Sequence, residues 1–150
     1  MKNIKHELYN LCQVYLQQRI QTAKQAIEEA QQAANNETKS SSGDKYETGR
    51  AMMQLEIEKD SVQLSESLKL KQALDQISID NSSTSVHPGS LVVTDQAVFF
   101  IAISVGKLTL HGKTYLAISP ASPVGIKLLG LKLNDSFTFN DRTYVVQEIQ

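Results

Sequence analysis

Residues 4–34 read IKHELYNLCQVYLQQRIQTAKQAIEEAQQAA, without a glycine or a proline. Most of these residues (Gln, Ala, Lys, Glu, Leu) are good helix formers. The apolar positions run Ile4, Leu8, Leu11, Tyr15, then Leu16, Ile20, Ala23, Ile27, Ala30, Ala34. Steps of four and three alternate, which is the seam of a coiled coil with one phase shift at Tyr15–Leu16. A helix of this length with one apolar stripe needs a partner to cover the stripe.

The chain supplies one nearby. From about Lys45 to Ile77 a second helix is expected, with Met53, Ile57, Leu64 and Leu68 on one stripe and Leu70, Leu74 and Ile77 on its neighbour. Ser61 falls on the first stripe and weakens it. Met52 and Met53 read as seam residues, and Cys12 as a core thiol close to the stripe of the first helix. The connection NNETKSSSGD, residues 35–44, is only long enough to turn the chain back, so an antiparallel hairpin is expected with its apex near Ser40–Asp44.

After residue 80 the pattern changes. NSSTSVHPG, residues 81–89, is polar and ends in Pro-Gly, the composition of a linker. Beyond it come β-branched and aromatic runs: SLVVTD (90–95), AVFFIAIS (97–104), KLTLHG (107–112) and KTYLAIS (113–119). FTFNDRTYVVQEI (137–149) predicts a hairpin turning at Asn140 and Asp141. In SPASPVGIKLLGLKLND (119–135), Pro123 can open a short helix and Gly130 can close it. The expected fold is therefore α+β. Residues 1–79 form a long antiparallel coiled-coil hairpin with a tip near 37–47, residues 80–89 a linker, and residues 90–150 a small, mostly antiparallel β domain packed on one helix.

Charge and composition narrow the function. Sixteen acidic residues against fifteen basic ones leave no overall basic surplus, and no basic run stands out. One cysteine excludes an internal disulfide framework and a cysteine-rich zinc site. The charged N-terminus lacks an apolar signal core and no window reaches the length of a membrane span, so a soluble cytoplasmic protein without membrane contact is expected. His6, His87 and His111 lie in unlike segments, with no spacing that suggests a metal site or a catalytic base. Ser119 and Ser122 lack the context of a hydrolase nucleophile.

The order of parts resembles the Gre-factor family of bacterial transcript cleavage factors. In that family a long helical hairpin tipped by GD..E precedes a small FKBP-like domain carrying an IS..SP.G..LLG...GD run. The matching residues here are Gly43, Asp44 and Glu47 at the tip, and Ile118, Ser119, Ser122, Pro123, Gly125, Leu128, Leu129, Gly130 and Asp135 in the C-terminal half. The resemblance implies a transcription elongation factor that docks on bacterial RNA polymerase. Its hairpin would enter the secondary channel and stimulate the polymerase's own cleavage of a backtracked nascent RNA 3′ end. It further implies that Asp44 and Glu47 are the tip acids that assist catalysis, and that Ser122, Pro123 and Gly125 lie at the polymerase-docking surface. The chain would not be an enzyme by itself, and a hairpin that satisfies its own seam favours a monomer.

Two carboxylates suit Mg2+, which typically keeps several waters and takes one or two protein acids. In a two-metal centre such a pair can complete a cation position shared with the polymerase, without forming a site in the isolated protein. Asp44-x-x-Glu47 is equally a helix capping box, which needs no metal. Both roles are compatible, because a cap fixes the two acids on one turn. Two departures from the family pattern keep a non-cleaving secondary-channel regulator open: Glu47 is followed by TGRAMM, and Ala121 stands where an aspartate is typical. Residues 1–80 also carry ten basic against twelve acidic residues, with no obvious counterpart of the basic face that the family turns to RNA. A peptidyl-prolyl isomerase would need an aromatic-lined pocket, whereas the C-terminal half has only Phe99, Phe100, Tyr115, Phe137, Phe139 and Tyr144, several of which must fill a small core. A plain coiled-coil adaptor is the remaining alternative.

Overall fold

In the computed structural model the backbone is described for residues 2–37 and 43–150, and side chains for 4–36 and 47–150. Helix α1 spans Lys2–Glu37 and helix α2 spans Gly43–Asp75. At 1.5 Å per residue each is about 50 Å long. The expected apex, Ser40–Asp44, lies largely outside the described residues.

The chain divides into two compact units. One, residues 16–71, consists of the middle and distal parts of α1 and α2. Leu16, Ala23 and Ala30 are buried at seven-residue intervals along α1, the repeat of a coiled-coil seam. On α2 the inward line also steps by seven, through Met53, Asp60, Ser67 and Leu74. This corrects the stripe expected from the sequence: Leu68 is exposed and Ser67 is buried in its place, while Ser61 faces outward and Asp60 inward. Of the two methionines, Met53 lies on the seam and Met52 is exposed. A heptad holds its phase through polar positions, so following the apolar letters alone drifts off the true seam.

The other unit, residues 1–15 and 72–150, holds the start of α1, the end of α2 and all the strands. The phase shift anticipated at Tyr15–Leu16 falls where the two units divide, and below it Leu8 and Cys12 are buried four residues apart. Tyr9 donates its hydroxyl to the Leu74 carbonyl at 2.9 Å, so the start of α1 meets the end of α2 and the helices run antiparallel. The bases of the helices are therefore grouped with the sheet, where the sequence placed residues 1–79 together as one hairpin domain.

Six strands follow: β1 (Leu91–Thr94), β2 (Val98–Ile101), β3 (Gly106–Leu110), β4 (Lys113–Ile118), β5 (Ser136–Phe139) and β6 (Arg142–Ile149), with α3 (Pro123–Leu128) between β4 and β5. Their order in one sheet is β3-β4-β2-β1-β6-β5, with a single parallel pair, β2 and β4. Every predicted strand is present, and the fold is α+β. The β5–β6 hairpin turns at Asn140 and Asp141, both with positive φ (51° and 64°), as a two-residue loop of the twist-compatible kind requires.

Val92, Phe99, Ile101, Phe137 and Val146 lie on one sheet face and share a core with Leu128 of α3 and with Val86. Phe137 and Tyr144 stack at 4.8 Å between centroids, with Phe99 meeting Tyr144 edge-on. The alternate residues Leu91, Phe100, Tyr115 and Ala117 are also buried, so the sheet is covered on both sides. In the same unit, Leu8, Cys12 and Leu74 at the helix bases have no exposed surface.

Residues 80–89 are not a free linker. Val86 is buried, donates its N–H to the Leu131 carbonyl (2.8 Å) and accepts from the Gly130 N–H (2.9 Å). Gly89 is buried with φ 94°, and a Cβ there would stand 2.3 Å from the Ser78 carbonyl oxygen. A segment of serines and threonines lacks a hydrophobic signal, yet one valine and a ladder of backbone bonds suffice to hold it.

Candidate functional site

The residues that carry the family resemblance in the C-terminal half form one interlocked structure around the start of α3. Ser122 is the N-cap, in extended conformation, with its Oγ accepting from the Gly125 N–H at 3.0 Å. The same hydroxyl donates to the Ser119 carbonyl at 2.7 Å, so it ties the end of β4 to the first turn of the helix. Pro123 follows at the first helical position, where a missing N–H costs nothing. Gly125 is buried, and a Cβ there would lie 2.1 Å from the Ser119 carbonyl oxygen, so the close approach of the two backbones requires glycine. Leu128 is buried in the core and Gly130, with φ 85°, reverses the chain after the helix. Asp135 closes the next turn, its Oδ2 accepting from the Lys132 N–H at 2.8 Å.

Ser122, Pro123 and Gly125 are thus brought together, but two of them are internal to the fold. Ser122 is half-buried and spent on capping, Gly125 makes room for backbone, and Pro123 alone faces solvent. Ile126, three residues after Pro123 and so on the same side of the helix, is 64% exposed. The sequence does not single out Ile126, since which face of α3 is covered is decided only by packing. Lys127 next to it donates to the Thr138 carbonyl on the edge strand β5 and lies 5.9 Å from the Phe139 ring centroid.

Asp44 and Glu47 fall in the first turns of α2, which begins at Gly43. Their backbone positions, three residues apart on a helix, share one side. Glu47 is exposed and the side chain of Asp44 is outside the described residues; because α2 already begins at Gly43, Asp44 lies inside its first turn and not at the N-cap position that the expected capping box requires. Two hard carboxylate donors at this spacing fit a magnesium ion that takes its other ligands elsewhere. Among the described residues, no three carboxylate, imidazole or thiol groups converge. The tip acids belong to residues 16–71 and the capped turn to the other compact unit.

The histidines have partners that no local spacing could reveal. His6 Nε2 lies 3.0 Å from Asp80 Oδ1, and His111 Nε2 lies 3.1 Å from Glu7 Oε2, across separations of 74 and 104 residues. Both contacts engage the first turns of α1, one with the chain after α2 and one with the β3–β4 turn. His87 is held by Ser85 and Ser90: its Nδ1 lies 3.2 Å from the Ser85 carbonyl and 2.9 Å from Ser90 Oγ. The aromatic side chains Phe99, Phe100, Tyr115 and Phe137 are all core residues. Burial pushes the Cys12 thiol up to about 11. Among the described residues, no helix is long and apolar enough to cross a membrane.

No family model and no curated protein matches the sequence. Among solved structures, the chain is similar to that of the transcription factor Gfh1, at 20% identity over 90% of each chain and a TM-score of 0.35.

Proposed function

We propose that this chain is a transcription factor of the Gre type, which docks on bacterial RNA polymerase and stimulates cleavage of backtracked transcripts. The observation that carries the reading is the capped turn. The residues Ser119, Ser122, Pro123, Gly125, Gly130 and Asp135, through which the sequence resembles that family, each have a specific job in one turn–helix–turn. Chance matches scattered along a chain have no reason to be interlocked in this way. The seam of the two long helices supports the second half of the reading, a stiff support for the acids near its end.

On this reading Pro123 and Ile126 provide the exposed docking contact, with Ser122 and Gly125 holding the helix that presents it. Asp44 and Glu47 would hold a Mg2+ ion jointly with the polymerase, and such an ion, when bound, would supply Lewis-acid chemistry to the polymerase's own hydrolysis. The chain's own part is placement: i, i+3 spacing sets both carboxylates on one side of α2.

The test is co-purification with the polymerase followed by cleavage of a stalled transcript. The double change Asp44→Asn with Glu47→Gln replaces both carboxylates by amides of nearly the same size and removes their charge. It is expected to abolish cleavage while leaving Tm and polymerase binding unchanged. Unchanged cleavage would remove the acids from the chemistry. A second reading, a channel regulator without cleavage, draws on TGRAMM after Glu47; binding without cleavage by the wild-type chain would select it.

A further inference from the structure

A groove of about 420 Å3 runs beside the last residues of β6, lined by Ser83, Thr84, Lys132, Leu133, Glu148 and Ile149, among others. It opens because β6 is longer than its neighbour on that side. The pairing with β5 reaches Val145, and Val146 is still covered by Asn134 and Asp135. The chain before these, at Leu131 and Lys132, pairs with Ser85 and Val86 instead. On its other edge β6 pairs with β1, where Leu91 and Gln150 exchange both of their backbone hydrogen bonds. In an antiparallel ladder such pairs alternate with pairs whose N–H and C=O groups point outward. Ile149, opposite Val92, therefore turns its N–H and C=O away from β1 and toward the groove. There they meet no partner among the described residues.

From the unpaired end of β6 beside this groove, we infer that the groove takes an extended peptide, which adds a short strand to β6 and carries an aliphatic side chain next to a carboxylate. A peptide main chain supplies what Ile149 lacks, one N–H and one C=O at strand spacing, the pairing by which sheet edges capture extended segments. Leu133, 55% exposed, and the half-buried Ile149 form an apolar seat for one aliphatic side chain. Charge selects its neighbour. Glu148 Oε1 already accepts from Gln150 Nε2 at 2.8 Å, whereas the Lys132 ammonium has no partner among the described residues. The unmatched charge in the groove is therefore positive, and an acidic residue complements it where a lysine is repelled. The stretch of β6 beyond β5, Gln147–Ile149, is about 10 Å long, so the added strand is short. The inference uses none of the tip or α3 residues and does not depend on the proposed role in transcription.

The test titrates the full-length, 15N-labelled chain with the peptide acetyl-Thr-Asp-Val-Val-Thr-amide at constant ionic strength. Two controls are the same peptide with Lys in place of Asp, and the same peptide N-methylated at both valines. The Asp peptide is expected to give saturable shifts in the backbone amides of residues 83–84, 132–133 and 147–149. At saturation it should also slow hydrogen exchange of the Ile149 amide roughly tenfold or more. N-methylation removes main-chain donors and should abolish binding, and the Lys peptide should bind roughly threefold more weakly. Leu133→Glu should weaken binding of the Asp peptide roughly tenfold or more, while Lys132→Glu should reverse the preference between the Asp and Lys peptides. Both side chains are exposed, so both variants retain the fold. Absence of saturable shifts, unchanged exchange at Ile149, equal binding of the N-methylated peptide, or a Lys132→Glu chain that still prefers the Asp peptide would each overturn the assignment.

Discussion

Ser122 and Gly125 show how one hydroxyl and one missing methyl group can fix a local structure. Ser122→Ala removes the acceptor for the Gly125 N–H and the donor to Ser119. The expected loss is about 1 kcal/mol, typical of an N-cap. Gly125→Ala is expected to cost more, about 1–3 kcal/mol, because the new Cβ would meet a backbone oxygen that cannot move without breaking the β4–α3 turn. Urea melts of the two variants check the order. Cys12 gives a pH dependence of known sign. Its thiol is held protonated in the native state up to about 11, whereas in the unfolded chain it ionises near 9.0. The unfolded state therefore releases its proton first, and the stability contributed by Cys12 is full below pH 9.0 and declines between there and about 11. Cys12→Ala should flatten that part of the stability–pH curve, and native Cys12 should resist iodoacetamide at neutral pH.

At the scale of the element, the seam of α2 carries two polar residues in heptad register, Asp60 and Ser67. Asp60 Oδ2 is buried and has no hydrogen-bond partner among the described residues. An unsatisfied buried acceptor is costly, and a polar seam residue specifies register at the expense of stability. Asp60→Leu is expected to stabilise the chain by about 1 kcal/mol or more, raising Tm by roughly 2–4 °C, measured by circular dichroism. Ser67, 1% exposed, shows why letters alone misled: the seam continued through a serine while the adjacent Leu68 turned outward. The segment before β1 makes the same point in reverse. Val86→Ala should cost about 1–2 kcal/mol, through a lost core contact, where a free linker would lose nothing. Edge protection also belongs here: Lys127 occupies the Thr138 carbonyl, blunting one edge of the sheet against pairing with another chain.

For the whole molecule, the division into two compact units separates the two groups that the proposed activity requires. The tip acids can be altered without touching the capped turn, and the reverse also holds. Asp44→Asn with Glu47→Gln should abolish transcript cleavage with polymerase binding intact, whereas Ile126→Glu should weaken polymerase binding at least tenfold and leave Tm within about 1 °C, since Ile126 is largely exposed. Pull-down and cleavage assays on the two variants together distinguish docking from chemistry.

The sequence by itself determined the two long helices, all six strands, the short helix between Pro123 and Gly130, and the Asn140–Asp141 turn. Each of these is written in local terms: apolar period, glycine and proline punctuation, and positive-φ residues at turns. It also determined which residues resemble a known family's motif. The tertiary structure decided where the α2 seam runs, that residues 80–89 are packed, and that the helix bases group with the sheet. It alone placed His6 beside Asp80, His111 beside Glu7, and a groove beside the end of β6. These outcomes depend on which distant surfaces meet, and pairs separated by 74 and 104 residues leave no periodic trace in the chain. Local patterns record backbone preference; burial and charge pairing are fixed only when remote segments exclude water together.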